Sequence, residues 1–184
     1  MLVKVISGKL KGRMIKGFDI LGTRPTMDRV KESVFGMIQD YLSDSIVLDL
    51  FSGSGNLGIE AISNGANLCY FNDYNKKCIK VIKDNLEIFN ILDNSIITNM
   101  DYKEALNYYK NKKISFDLIF LDPPYKEHII EEILMFIEEN NLLREKGLVI
   151  CELTNKLDYR SDKLILFKER SYGEKMVFIY KLDK

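Results

Sequence analysis

From residue 46 to residue 153, short apolar runs alternate with longer stretches whose apolar residues recur at helical spacing. Strands joined in this way by helices must lie mostly parallel in one sheet, with helices covering its faces. The runs fall at 46–50, 68–73, 95–98, 117–122 and 147–153, and the helical patterns near 56–64, 76–89, 102–110 and 128–141. Ile79, Ile82, Leu86 and Phe89 form the stripe of the second helix, and Gly65 is placed to end the first. Beyond residue 153 the rhythm changes. Two β-rich runs, 164–168 and 176–181, are separated only by Ser171-Tyr172-Gly173-Glu174, which predicts a terminal antiparallel hairpin. The expectation is a doubly wound α/β sheet closed by that hairpin, and 184 residues leave room for one domain.

Ahead of this pattern, residues 3–6 and 12–16 read as a small basic hairpin. A helix follows from Thr26, its plausible N-cap, with Val30, Val34, Ile38 and Tyr41 or Leu42 as the apolar stripe. The formal net charge is zero, yet residues 1–31 hold eight bases against Asp19 and Asp28, a net of +6, and the rest of the chain holds 19 bases against 25 acids, a net of −6. A basic arm on an acidic body fits either a polyanionic partner for the arm or a solvated face, and charge alone does not choose between them. Residues 1–42 are expected to form a binding extension and 43–184 the core. No apolar stretch approaches the roughly 20 residues that cross a bilayer, and MLVKVISGKLKGR lacks the apolar centre of a secretory signal; the expected location is the cytoplasm. Cys69, Cys78 and Cys151 are odd in number and lack C-x-x-C spacing, which argues against a disulfide framework or a zinc site.

The run Asp49-Leu50-Phe51-Ser52-Gly53-Ser54-Gly55-Asn56-Leu57-Gly58 follows a strand, opens a helix and contains G-x-G-x-x-G. Such glycines let the backbone turn tightly beside a ligand, and the helix start offers free amide hydrogens to it. Asp73, 20 residues beyond Gly53, is placed to accept ribose hydroxyls. A second motif, Asp122-Pro123-Pro124-Tyr125, follows the apolar strand Leu118-Ile119-Phe120-Leu121 and so falls at the ligand-binding edge of the sheet. Its chemistry suits the amine of a nucleobase, whose lone pair is delocalised into the ring. Asp122 can accept one amine hydrogen and the Pro123 carbonyl the other, which localises the lone pair, while Tyr125 offers a stacking face worth about 1 to 3 kcal/mol.

With both motifs in view the chain resembles S-adenosylmethionine-dependent amino methyltransferases. Val5-Ile6-Ser7-Gly8, Lys11-Gly12-Arg13, Thr23-Arg24-Pro25-Thr26, Asp28-Arg29-Val30-Lys31-Glu32 and Tyr172-Gly173 narrow the resemblance to the RsmD family, over about residues 3–180. The resemblance implies a Rossmann-like class I methyltransferase fold with a seven-stranded sheet. It also implies methylation of the N2 amine of a guanine in 16S ribosomal RNA, conventionally guanine 966, within an assembling small ribosomal subunit, by a monomer that needs no metal. Carried over residue by residue, it places cofactor contacts at Asp49, Phe51, Gly53, Gly55, Asp73, Asp101 and Tyr102, and target-base contacts at Asp122, Pro123, Pro124 and Tyr125. RNA contacts are expected at Lys9, Lys11, Arg13, Arg24, Thr26 and Arg29. Asp73 stands where the family usually has glutamate, Asn56 where a smaller residue is common, and Tyr102 where alanine is frequent.

Two other readings share these motifs: an amino methyltransferase acting on adenine or on a protein glutamine, and a nicotinamide-dependent dehydrogenase, which the glycine loop and a distant acid also fit. A noncatalytic RNA-binding module is disfavoured by Asp122. His128, Tyr108-Tyr109 and Lys110-Asn111-Lys112-Lys113 read as surface or core features without catalytic partners.

Overall fold

The structure, a computed structural model, describes residues 2–17, 28–124 and 129–183. Arg24, Thr26, Tyr125 and His128 lie outside the described residues. Strands β1 (Leu2–Lys4) and β2 (Met14–Lys16) pair antiparallel, and α1 (Asp28–Met37) follows. Then come β3 (Ile46–Asp49), α2 (Asn56–Ser63), β4 (Leu68–Asn72), α3 (Lys76–Phe89), β5 (Ser95–Thr98), α4 (Tyr102–Asn111), β6 (Phe116–Leu121), α5 (Ile129–Glu139), β7 (Leu143–Leu153), β8 (Leu164–Tyr172) and β9 (Lys175–Leu182).

Strands β3 to β9 form one seven-stranded sheet in the order β5-β4-β3-β6-β7-β9-β8. The first five are parallel, and β9 runs antiparallel to both β7 and β8. This is the class I methyltransferase arrangement, and the inserted antiparallel β9 departs from the all-parallel sheet of a dinucleotide-binding dehydrogenase. The chain builds outward from β3 to β5, then returns to lay β6 on the other side of β3, so the switch point falls between β3 and β6.

Leu118, Phe120, Leu148 and Ile150 alternate with Ile119, Leu121, Val149 and Cys151 to feed two cores on opposite faces of the sheet. The first core also takes Val3, Val5, Leu10 and Ile15 from the N-terminal hairpin and Val30, Val34 and Phe35 from α1. The extension is thus packed onto the body. The expected stripe is buried at Val30 and Val34 of α1 and at Ile38 and Leu42, which lie beyond the end of α1 on either side of a short 3-10 turn at Gln39–Tyr41, while Tyr41 stays at the rim. All three cysteines are free and buried.

The terminal strands are longer than their sequence pattern predicts. The turn narrows to Gly173 and Glu174, with Gly173 at φ 63°, and β8 continues through Glu169, Arg170 and Ser171. These polar residues are tolerated because β8 is an edge strand with solvent beside it. β7 likewise begins at Leu143, ahead of a register shift against β6, and Arg144 there pairs with Asp117 at 2.9 Å.

Candidate active site

Asp49 ends β3, and a sharp turn leads into α2. Gly55 is the N-cap of α2 at φ 83°, a conformation that costs glycine little and a side chain much. Gly58, one turn on, lets α2 lie against β4, since a Cβ there would meet the Phe71 ring at 2.3 Å. The amide of Gly58 donates to Asp49 Oδ2 at 3.1 Å, and that of Gly53 donates to Asp73 Oδ2 at 2.9 Å. Two carboxylates from adjacent strands therefore shape one glycine loop.

Asp49 is 2% exposed. Burial, with further pushes from the negative charges of Asp122 and Asp73, raises its carboxyl to about 7 despite the Gly58 hydrogen bond. The influence of Asp122 ties the two motifs together, since Asp122 follows the end of β6, which pairs directly with β3. Asp73 is also raised, by burial first, and its other oxygen accepts from the Asn75 amide at 2.8 Å. Both Asp73 oxygens thus already hold backbone, and a ribose would share them. Asn75, in turn, caps α3 by accepting from the Lys77 amide.

Asp122 and Pro123 are half-buried and Pro124 is exposed. Beside the glycine loop, Phe51 and Tyr102 pack ring against ring at 5.8 Å between centroids, forming an apolar wall. Asp101 caps α4 in a reciprocal capping box with Glu104, at 2.9 Å to the Lys103 amide. Its side chain thus carries a structural duty at the start of α4 beside the cofactor contact that the resemblance implies.

The basic arm is less uniformly available than its charge count predicts. Lys9, Lys11 and Arg29 are exposed. Arg13 instead donates to the Ile88 carbonyl at 2.6 Å and lies 4.4 Å over the Phe89 ring, so it closes the C-terminal end of α3, where unpaired carbonyls attract a cation. Lys31 is fully buried. Its ammonium reaches Glu60 Oε2 at 2.9 Å, Asn56 Oδ1 at 2.8 Å and the Lys4 carbonyl at 2.7 Å. That contact accounts for Asn56 in the glycine loop. The charge on Glu60 within the apolar run Leu57-Gly58-Ile59-Glu60-Ala61-Ile62 was the sequence signal for such a pair. The sequence reading also passed over Asn99, whose amide donates to the Asp73 and Tyr74 carbonyls at 2.8 and 3.0 Å and fixes the end of β4.

The family model described as Conserved hypothetical protein 95 matches residues 3–181. The chain belongs to this family, the RsmD family. It is 39% identical over 181 residues to YlbH of Bacillus subtilis, covering 97% of this chain and 98% of that protein. It is 32% identical over 173 residues to the ribosomal RNA small subunit methyltransferase D of Haemophilus influenzae, covering 93% and 89%. The solved structure of yhhF from Escherichia coli superposes with a TM-score of 0.88 at 25% identity, covering 100% and 99%. The solved structure of an RNA methyltransferase from Salinibacter ruber, in complex with S-adenosyl-L-homocysteine, shares the fold with a TM-score of 0.68 at 14% identity, covering 88% of this chain and 95% of that one. The residues present fit such a ligand: buried carboxylates for a cationic group, a glycine loop that lets backbone approach closely, and an apolar wall for a flat ring.

Proposed function

We propose that the protein transfers a methyl group from S-adenosylmethionine to the N2 amine of a guanine in 16S ribosomal RNA, guanine 966 by family resemblance, within an assembling small subunit. The observation that carries this reading is the adjacency of β3 and β6, which brings the glycine loop after Asp49 beside the amine-accepting loop that begins at Asp122. Asp49, Phe51, Gly53, Gly55, Asp73, Asp101 and Tyr102 hold the cofactor, which supplies an electrophilic methyl on a sulfonium. Asp122 and the Pro123 carbonyl accept the two amine hydrogens and aim the lone pair. The amine sheds its proton only as the new bond forms, so orientation and electrostatics carry the rate, and no strong base is needed. A guanine in a single-stranded loop reaches this edge more easily than one in a duplex.

Nucleoside mass spectrometry of 16S ribosomal RNA from a strain lacking the protein tests the assignment. Loss of one N2-methylguanosine, restored by the wild-type chain and not by Asp122→Ala, is expected; an unchanged nucleoside profile overturns it.

Cofactor affinity should depend on pH through Asp49. The free carboxyl keeps its proton up to about 7, and a cationic ligand binds the ionised form, so affinity rises between about pH 6 and 8, by at most about tenfold per unit below the raised value. The stability of the free protein runs the other way. The folded state holds a proton that the unfolded chain releases near 3.8, so the contribution of Asp49 is complete in acid and is lost as pH rises through about 7. Calorimetry across this range should show the affinity trend in wild type and a flat profile in Asp49→Asn; a flat wild-type profile removes Asp49 from the cofactor site.

The extension formed by residues 1–42 is the RNA-binding element, and within its described residues Lys9, Lys11 and Arg29 are the exposed cations expected to meet phosphates. Each neutralised phosphate contributes about 0.7 to 0.9 to the slope of log affinity against log salt. Replacing all three with alanine should flatten the slope for ribosomal-particle binding by roughly two units and leave cofactor binding unchanged. An equal slope in both proteins would mean that these side chains are only solvated.

A further inference from the structure

The edge strand β8 carries a register shift against β9, between Leu166 and Lys168, that inserts Phe167 as an extra residue. Ile165 lies opposite Lys181 and Lys168 opposite Ile179, and directly opposed side chains share a face of the sheet. Lys181 and Ile179 stand two apart on β9, on the face whose core includes Val30, Val34 and Phe35 of α1. The bulge therefore brings two successive residues, Phe167 and Lys168, to the face that α1 covers, where strict alternation would send one of them away.

An aromatic and cationic cluster forms there, just beyond the last turn of α1. The Lys168 ammonium lies 5.0 Å from the centre of the Phe167 ring and donates to the Met37 carbonyl at 3.0 Å. The Lys181 ammonium lies 5.2 Å from the same ring centre and 5.5 Å from that of Tyr41, and it donates to the Tyr41 hydroxyl at 3.2 Å. Tyr41 stands edge-on to Phe167 at 6.4 Å. Sharing one ring, the two ammoniums lie within about 10 Å of each other. Phe167 is 38% exposed and Tyr41, Lys168 and Lys181 are half-buried, so the cluster opens to solvent.

One cation is enough for the C-terminal carbonyls of α1, and Lys168 supplies it. Lys181 sets a second like charge beside the first. Among the described residues neither lysine is ion-paired with a carboxylate. The acid next along the strand, Glu169, lies opposite Phe178 and so belongs to the other face. Neutral oxygens and two rings hold both ammoniums in place, and each spends one of its three donors on a hydrogen bond. An anion arriving here meets positioned cations with donors to spare, and such charge-assisted bonds are the strong ones. Register places Lys168 level with Phe120, across β9 and β7, so Asp122 lies three strand spacings and two residues off, roughly 15 Å away. That is too far to touch the target base and near enough to meet the strand that carries it.

We propose that Lys168 and Lys181 form a phosphate-binding site for the ribosomal RNA strand flanking the target base, a contact on the catalytic body in addition to those of the N-terminal extension. The inference rests on the reading of the substrate as ribosomal RNA. Tyr41 belongs to that extension, so the cluster continues the proposed RNA surface from Lys9, Lys11 and Arg29 onto β8 and β9.

The test compares wild type with Lys168→Gln, Lys181→Gln, whose amides can still donate to the Met37 carbonyl and the Tyr41 hydroxyl but carry no charge, and with Lys168→Arg, Lys181→Arg, which keeps both charges. Binding to small-subunit particles is measured across ionic strength. The glutamine pair should flatten the slope of log affinity against log salt by roughly 1.5 units, at about 0.7 to 0.9 for each neutralised phosphate, and the arginine pair should keep the wild-type slope. In methylation assays the glutamine pair should raise KM for the particle and leave kcat and cofactor affinity at their wild-type values. An unchanged slope in the folded glutamine pair overturns the inference and leaves the RNA assignment standing. A wild-type dimer in solution that the glutamine pair dissociates also overturns it, because a second copy would then cover β8. Should the glutamine pair fail to fold, acetylation of wild-type lysines read by mass spectrometry decides: the particle should protect Lys168 and Lys181, and unchanged labelling overturns the inference. A wild type that neither binds nor methylates ribosomal particles overturns the reading of the substrate and this inference with it.

Discussion

Asp122→Ala should lower turnover about a hundredfold or more, the usual scale for removing a positioned acceptor at a reacting group. The expectation follows from what the amine lacks. Its lone pair is spread into the ring, and hydrogen bonds from both N–H groups to fixed acceptors are what localise it. The Pro123 carbonyl remains in the variant, so one acceptor survives and some activity should persist. Cofactor affinity near neutral pH should hold or rise slightly, because the charge of Asp122 helps to keep the Asp49 carboxyl protonated and its removal eases that ionisation. Single-turnover methylation of ribosomal particles separates the chemical step from binding. A variant as fast as wild type would show that Asp122 does not orient the amine.

Periodicity served this chain well where local pattern and tertiary role agree. β5 and α3 occupy the predicted residues, 95–98 and 76–89, because a short apolar run and an amphipathic stripe bounded by polar residues each admit one answer. β8 exceeds its predicted length because an edge strand accepts polar residues that composition assigns to a turn. The two motif loops were equally legible, since their glycines and prolines restrict the backbone whatever surrounds them. Partners distant in sequence were not legible. Arg13 was counted with the phosphate-binding cations, and only the fold brings it to the end of α3, 75 residues away. Asp73 was assigned to a ribose, and only the fold shows its two oxygens holding Gly53 and Asn75. Glu152 and Lys175 carry no motif, and only the pairing of β7 with β9 brings them into an ion pair.

The same limit hid Lys31, and the largest stability effect is expected there. Glu60 accepts from the amides of Ile6 and Ser7 at 2.8 to 3.1 Å and from the Ser7 hydroxyl at 2.9 Å, so one carboxylate fastens the N-terminal segment to α2. Lys31 supplies the countercharge from α1 and also ties Lys4 and Asn56 to it. Burial lowers the pKa of Lys31 and the nearby Glu60 carboxylate opposes that shift, as for a desolvated cation held charged by its partner. Replacing Lys31 with methionine leaves a buried carboxylate without its cation, for which about 3 to 5 kcal/mol is the usual cost, or a fall in Tm of roughly 10 °C for a chain of this size. Four neutral donors remain on Glu60, the Asn64 side-chain amide at 3.4 Å among them, which places the loss toward the lower end of that range. Lys31→Met with Glu60→Gln should recover much of the stability, because the pair then leaves no buried charge uncompensated. Chemical denaturation of the two variants and wild type makes the comparison. A loss below about 1 kcal/mol for Lys31→Met, within the range of surface pairs, would show that the ion pair does not fasten the extension, and the joint would then rest on the apolar contacts of Val5, Leu10 and Ile15.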